Sequence, residues 1–262
     1  MDLHLISLSI LEGLTEFLPI SSTAHLIILA KLWTVDLTDA YIKFYILFIQ
    51  LGALMAGVVL FLQKILTNRT ILINIFISFI PSAVVGFLAY KLFKHMLEGN
   101  MLVMAAALFI GGVIFIYLEK VFMKRGGVED VRDFGKREIT KTDAFIVGLA
   151  QAVAIIPGVS RSGATIVAGI LRGIKREVIF EYTFILALPT LGAAVLYDAY
   201  KSRDMLVNIN SYQDLLSGFL VALVVAIVTL YLLKRYLPRI SLTFFGWYRM
   251  VLALFVIMIF VV

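Results

Sequence analysis

The chain has 262 residues, 62% hydrophobic and 15% charged, with a net charge of +6. Soluble domains run nearer half apolar and a quarter charged, so the composition excludes a soluble enzyme and implies a polytopic membrane protein, one bundle with no appended domain. There is no cysteine, which excludes disulfides, thiolate metal sites and cysteine nucleophiles; the cations sit in short loops between apolar runs, which is membrane anchoring rather than a nucleic-acid surface.

In chain order, apolar stretches long enough for a bilayer fall near 4–32, 41–63, 71–93, 101–123, 143–171, 178–200, 213–235 and 243–262. No cationic region precedes the first stretch, and that stretch carries a motif of its own, so it is expected to stay in the mature protein rather than be cleaved as a signal peptide. The first and fifth stretches are longer than the rest and are broken midway, by Pro19 and by Pro157-Gly158. Helix breaks at membrane depth are tolerated where the backbone is buried in protein or lines a wet cavity. Both are therefore expected to be re-entrant hairpins that enter and leave on one side.

Loop charges test this expectation. With all eight segments spanning, Lys and Arg divide ten to ten between the two sides; with the fifth re-entrant they divide fourteen to six. The positive-inside rule then puts the loop at 124–141 in the cytoplasm and the C-terminus outside, and the N-terminus is also expected outside if the first segment is re-entrant too. The count is silent on the first segment, but symmetry is not. Leu51-Gly52-Ala53 resembles Leu191-Gly192-Ala193, and Gly13-Leu14 and Gly148-Leu149 precede the two Pro breaks at nearly the same interval. The expected fold is all-α: six transmembrane helices plus two re-entrant helix hairpins, in an inverted-topology repeat with halves at 1–123 and 142–262 joined by a loop at 124–141.

Each break carries ionisable groups, which are expensive in lipid and mark a site by default. The first string is Glu12-Gly-Leu-Thr-Glu16-Phe-Leu-Pro19-Ile-Ser21-Ser22-Thr23-Ala-His25. Glu12 and Glu16 are four apart and share a helix face. Two carboxylates there repel unless a proton, a salt bridge to Arg161 or a divalent cation intervenes, and Mg²⁺ or Ca²⁺ prefers such oxygen ligands. His25, three residues beyond Ser22, is the candidate base for its hydroxyl. His4 and His95, near the terminus and in a charged loop, are expected to face solvent. The second string is Pro157-Gly158-Val-Ser160-Arg161-Ser162-Gly163-Ala-Thr165. A Gly-bounded turn leading into a helix offers N–H groups to an anion, and Arg161 adds bidentate pairing. Ser21, Ser160, Ser162 and Thr165 are the candidate phosphate-binding hydroxyls beside it. An acidic string facing a cationic, hydroxyl-rich one suits the cleavage of a phosphate ester.

Other polar groups within the spans carry less. Gln50 and Gln151 read as cavity-lining or interhelical groups, Arg249 beside Trp247 and Tyr248 as an interfacial anchor, and Pro81 and Pro189 as kinks. Ala105-Ala106-Ala107 with Gly111-Gly112 reads as a close-packing face.

At these two strings the chain resembles the undecaprenyl-diphosphate phosphatase family, the bacitracin-resistance proteins. The likeness runs nearly end to end, through Ile49-Gln50-Leu51-Gly52 and Leu188-Pro189-Thr190-Leu191-Gly192 to Tyr248-Arg249. Ala24, where the family often has Gly, and Ala154 are small departures. The resemblance implies a divalent-cation-dependent enzyme of the plasma (inner) membrane that releases phosphate from a polyprenyl diphosphate at the outer face. It implies functional roles for Glu12, Glu16, Ser22, His25, Ser160, Arg161 and Thr165. The expected partners are the lipid substrate and membrane lipids, with a homodimer as the candidate assembly and no nucleic acid. The integral membrane acid phosphatases also have a Ser-Arg string, but need a second His after it, and none follows Ser160-Arg161. The competing reading is a flippase for the polyprenyl monophosphate carrier, since inverted repeats with broken helices are a transporter architecture.

Overall fold

A computed structural model describes residues 2–89, 100–125, 138–201, 212–237 and 240–262. Among the described residues, six helices are long and apolar enough to cross a membrane: α3 (Ala40–Thr67), α4 (Arg69–Leu88), α5 (Met101–Arg125), α8 (Arg176–Lys201), α9 (Tyr212–Tyr236) and α10 (Leu242–Phe260). The remaining two apolar stretches are each split. The first gives α1 (Leu3–Thr15) and α2 (Ser22–Leu32); the second gives α6 (Lys141–Ala152), a 3₁₀ turn (Val153–Ile155) and α7 (Arg161–Leu171). At 1.5 Å per residue none of these four pieces covers a hydrocarbon core of about 30 Å. Among the described residues there is no strand. Most of the 124–141 loop lies outside the described residues.

Capping chemistry sets the starts of the pieces. Thr140 and Asp143 form a reciprocal capping box at α6, and Ser160 caps α7 by accepting from the Gly163 N–H at 3.1 Å. Ser21 caps α2 from a left-handed backbone, φ 72, accepting from Ala24 N–H at 3.4 Å. Pro81 and Pro189 lie inside α4 and α8.

Packing pairs the two halves crosswise. α1 packs on α2 and lies along α9, while α6 packs on α7 and lies along α4; α3 meets α9 as α8 meets α4, and α3 with α8 and α5 with α10 join the halves. Two glycines permit the crosswise contacts. A Cβ on Gly13 would stand 2.8 Å from the Ala222 carbonyl oxygen of α9, and one on Gly148 would stand 2.2 Å from that of Ser78 in α4. Next to the first break, Phe17, Phe184 and Phe61 form a cluster of buried rings, edge-to-face and tilted, with centroid separations of 5.4 and 6.3 Å. Phe61 and Phe184 border a cavity of about 380 Å³, lined by Glu177, Lys234 and Arg235 among others.

Candidate active site

The two breaks meet inside the bundle, and Glu16 is the junction. Its Oε1 accepts from Arg161 Nη2 at 2.7 Å, and its Oε2 accepts from the Ser22 hydroxyl at 2.5 Å. Ser22 is the first residue of α2 and Arg161 the first of α7, so the start of each helix, where N–H groups lack intrahelical acceptors, is tied to the same carboxylate. Arg161 also donates from Nη1 to the Thr183 carbonyl at 3.3 Å, while its buried Nε has no partner.

Glu12 lies one turn before Glu16, fully buried, with neither carboxylate oxygen hydrogen-bonded. A buried carboxylate without donors requires a proton or a cation against it. The neighbouring Glu16 group adds a second set of oxygens, and a hard divalent cation fits that pair, because Mg²⁺ characteristically takes one or two carboxylates and completes its shell with water and phosphate. Among the described residues no third His, Asp or Glu joins them.

His25 stands elsewhere than its spacing from Ser22 implied. Its Nδ1 meets the Ser21 carbonyl at 2.7 Å and its Nε2 meets the Tyr248 hydroxyl at 2.7 Å. A carbonyl only accepts, so Nδ1 carries a proton, and in the neutral ring Nε2 accepts from Tyr248. The hydroxyl of Ser22 therefore faces Glu16, and His25 braces the left-handed turn at Ser21.

The remaining candidate hydroxyls each have a partner within the protein. Ser162 donates to the Leu18 carbonyl at 2.8 Å, tying the second hairpin to the first. Ser160 caps α7 and lies 3.0 Å from the Ser162 hydroxyl. Thr165 bonds back to its own helix and pairs with Thr183 of α8 at 2.9 Å. Gln151 donates to Ser82 at 2.8 Å and borders an apolar cavity of about 430 Å³ that opens on Arg161.

Two residues at the site escaped sequence reasoning. Tyr248 partners His25, and Arg249, read as an interfacial anchor, is buried at 2% exposure with its guanidinium on the carbonyls of both breaks. The aromatic neighbours Trp247 and Tyr248 gave the interfacial signal. The signal that finds Arg249 is its place as an ionisable residue well inside a 19-residue apolar helix.

The description "Bacitracin resistance protein BacA" belongs to a family whose profile matches residues 5–255. A protein of Aquifex aeolicus named undecaprenyl-diphosphatase is 40% identical over 247 residues, 94% of each chain. One of the same name from Campylobacter fetus is 40% identical over 251 residues, 95% of each. A third, from Persephonella marina, is 39% identical over 256 residues, covering 98% of this chain and 97% of its own.

Proposed function

Since the chain belongs to the bacitracin resistance protein BacA family, we propose that it hydrolyses an undecaprenyl-type diphosphate to the monophosphate and inorganic phosphate, recycling a lipid carrier for cell-wall synthesis. The observation that carries the reading is Glu16, held between the Ser22 hydroxyl and Arg161 at the starts of two helices.

In the proposed reaction the diphosphate lies at these helix starts, with Arg161 against its non-bridging oxygens. The Ser22 Oγ attacks the terminal phosphorus as its proton passes to Glu16 Oε2, and the bond from phosphorus to the bridging oxygen breaks. The polyprenyl monophosphate leaves, and water then cleaves phospho-Ser22 to give phosphate and the free hydroxyl. Glu12 and Glu16 would hold a divalent cation, Mg²⁺ or Ca²⁺, whose contribution is to neutralise charge on the diphosphate. The cavity beside Arg161, walled by Leu47, Phe79, Phe87, Leu191 and Tyr197, offers apolar room for the first isoprene units.

Phosphate release by detergent-solubilised protein tests the reading, because a flippase has no second compartment to serve there. Absence of release with a C55 diphosphate and Mg²⁺, together with lipid transfer in vesicles, would overturn it. Ser22→Ala then separates a nucleophile, whose loss is nearly total, from a hydrogen-bond donor to phosphate attacked by water, whose loss is partial.

The protein is a multi-pass membrane protein. The proposed orientation has both hairpins re-entrant, the repeat inverted and the reaction at the outer face of the plasma membrane. It is supported by the fourteen-to-six division of loop cations and by hairpin pieces of 11 to 13 residues, too short to span. The crosswise packing of equivalent helices supports the repeat. With no native cysteine, a single Cys at exposed position 138 reports the side. Labelling by an impermeant reagent only after the cells are opened is expected; labelling of intact cells would invert the orientation.

A further inference from the structure

Arg249 is the deepest cation described in the molecule, yet no carboxylate among the described residues pairs with it. Its partners are backbone carbonyls. Nε donates to Leu108 at 3.4 Å, Nη1 to Pro19 at 3.2 Å, and Nη2 to Ala107 at 3.3 Å and Gly158 at 2.9 Å. The Phe115 ring centroid lies 5.3 Å away. Room for the group is built into α5, where a Cβ on Gly111 would stand 2.2 Å from Nη2.

The choice of carbonyls is informative. Ala107 and Leu108 belong to one long helix, α5, whereas Pro19 and Gly158 belong one to each hairpin break. Both break carbonyls lie a few residues beyond the end of a helical piece, so neither belongs to an intrahelical ladder. Gly158 reaches Arg249 from a backbone at φ +95, a conformation open to glycine. Pro19 is three residues from Glu16, and Gly158 three from Arg161. A guanidinium has five N–H donors; the four contacts engage both of its terminal nitrogens and its Nε, all with backbone, so the group is turned toward the fold rather than toward a ligand.

We propose that Arg249 is a positioning residue for the phosphatase site: one guanidinium latches the breaks of both hairpins to α5 and thereby fixes the separation across which Glu16 meets Arg161. Besides the Glu16–Arg161 pair itself, the described tie between the breaks is the hydrogen bond from Ser162 to the Leu18 carbonyl. Without the latch that pair closes against a wider and more variable gap. Lysine is a poor substitute, because an ammonium is a point donor and cannot span carbonyls on three elements.

The test reads geometry and turnover separately. Nitroxide labels on cysteines introduced at Leu14 and Val153, both exposed and each on one hairpin, report the distance between the two breaks by pulsed electron resonance. The parent is expected to give a narrow distribution, Arg249→Met a longer and broader one, and Arg249→Lys an intermediate one. In step with that widening, kcat should fall by about 10²-fold in Arg249→Met, the cost of a misplacement of roughly 1 Å, with KM nearly unchanged. An unchanged distribution in both variants overturns the latch, as does a raised KM at unchanged kcat, which would make Arg249 a substrate-binding group. If Arg249→Met does not fold, Arg249→Lys carries the same two measurements. The turnover arm rests on the proposed reaction and the distance arm does not. A parent that releases no phosphate, with variants that still widen, would overturn the reaction and support the latch.

Discussion

The first hairpin break carries Glu12, Glu16 and His25 and turns through Ser21 at φ 72, whereas the second carries Arg161 among three hydroxyl residues and turns through Gly158 at φ +95. The second turn uses glycine where the backbone requires it. The first holds a serine in the same strained region, and His25 spends its Nδ1 proton on that residue's carbonyl. Polar supply differs as well. In the second break the hydroxyls are consumed by caps and cross-ties; in the first, Glu12 has no donor at all. Under the proposed reaction the two broken segments divide the labour: the acidic one would hold the reacting groups, and the basic one would supply one cation and the bracing.

The sharpest way to break this division is Glu16→Gln. It removes the proton acceptor of Ser22 and the counter-charge of Arg161 together, so turnover should fall by about 10²–10⁴-fold. Phosphate release at saturating lipid measures it, and a loss of only a few-fold would return the base role to another group. Arg161→Ala comes next, at about 10²–10³-fold, the usual cost of removing one preorganised stabiliser of developing charge. A variant that folds and keeps half its activity would strip the second hairpin of its electrostatic part.

Glu12→Gln should act mainly on the cation. The Mg²⁺ concentration giving half-maximal turnover should rise by more than turnover itself falls, since an anionic oxygen ligand is lost at constant size. A metal titration of the variant reads this, and full activity of the parent in excess EDTA would show that the carboxylates serve something other than metal. Thr165→Val is the smallest change. It leaves Thr183 without its 2.9 Å partner, at a cost of about 1–3 kcal/mol of stability, visible as earlier thermal unfolding. Turnover of the surviving fold should be unchanged; a raised KM would make Thr165 a phosphate ligand.

Much of the architecture is written in hydrophobic run length. The six spans follow from apolar stretches near 20 residues, and both breaks follow from Pro and Gly amid polar groups at membrane depth. Glu16 and Arg161 come together as complementary charges in two broken segments lead one to expect. Which acceptor faces Ser22 was not legible, because local spacing put His25 within reach while the chain turned through Ser21 in a left-handed conformation and sent the imidazole to Tyr248, 223 residues away. The internal partners of the hydroxyl-rich turn were not legible either, since sequence shows donors but not what they are bonded to. Arg249 was hidden by its neighbours: Trp247 and Tyr248 mimic an interfacial belt, and only the fold shows that the next side chain points inward.

The ring cluster of Phe17, Phe184 and Phe61 has a consequence for the membrane itself. Phe17 directly follows Glu16 of the first break, and Phe61 and Phe184 line the charged cavity at Glu177 and Lys234. Three buried aromatic rings thus put apolar surface between the site and that cavity, and apolar constrictions block ions by staying dry. The same side chains that pack beside the proposed site would therefore help keep the membrane electrically tight around it.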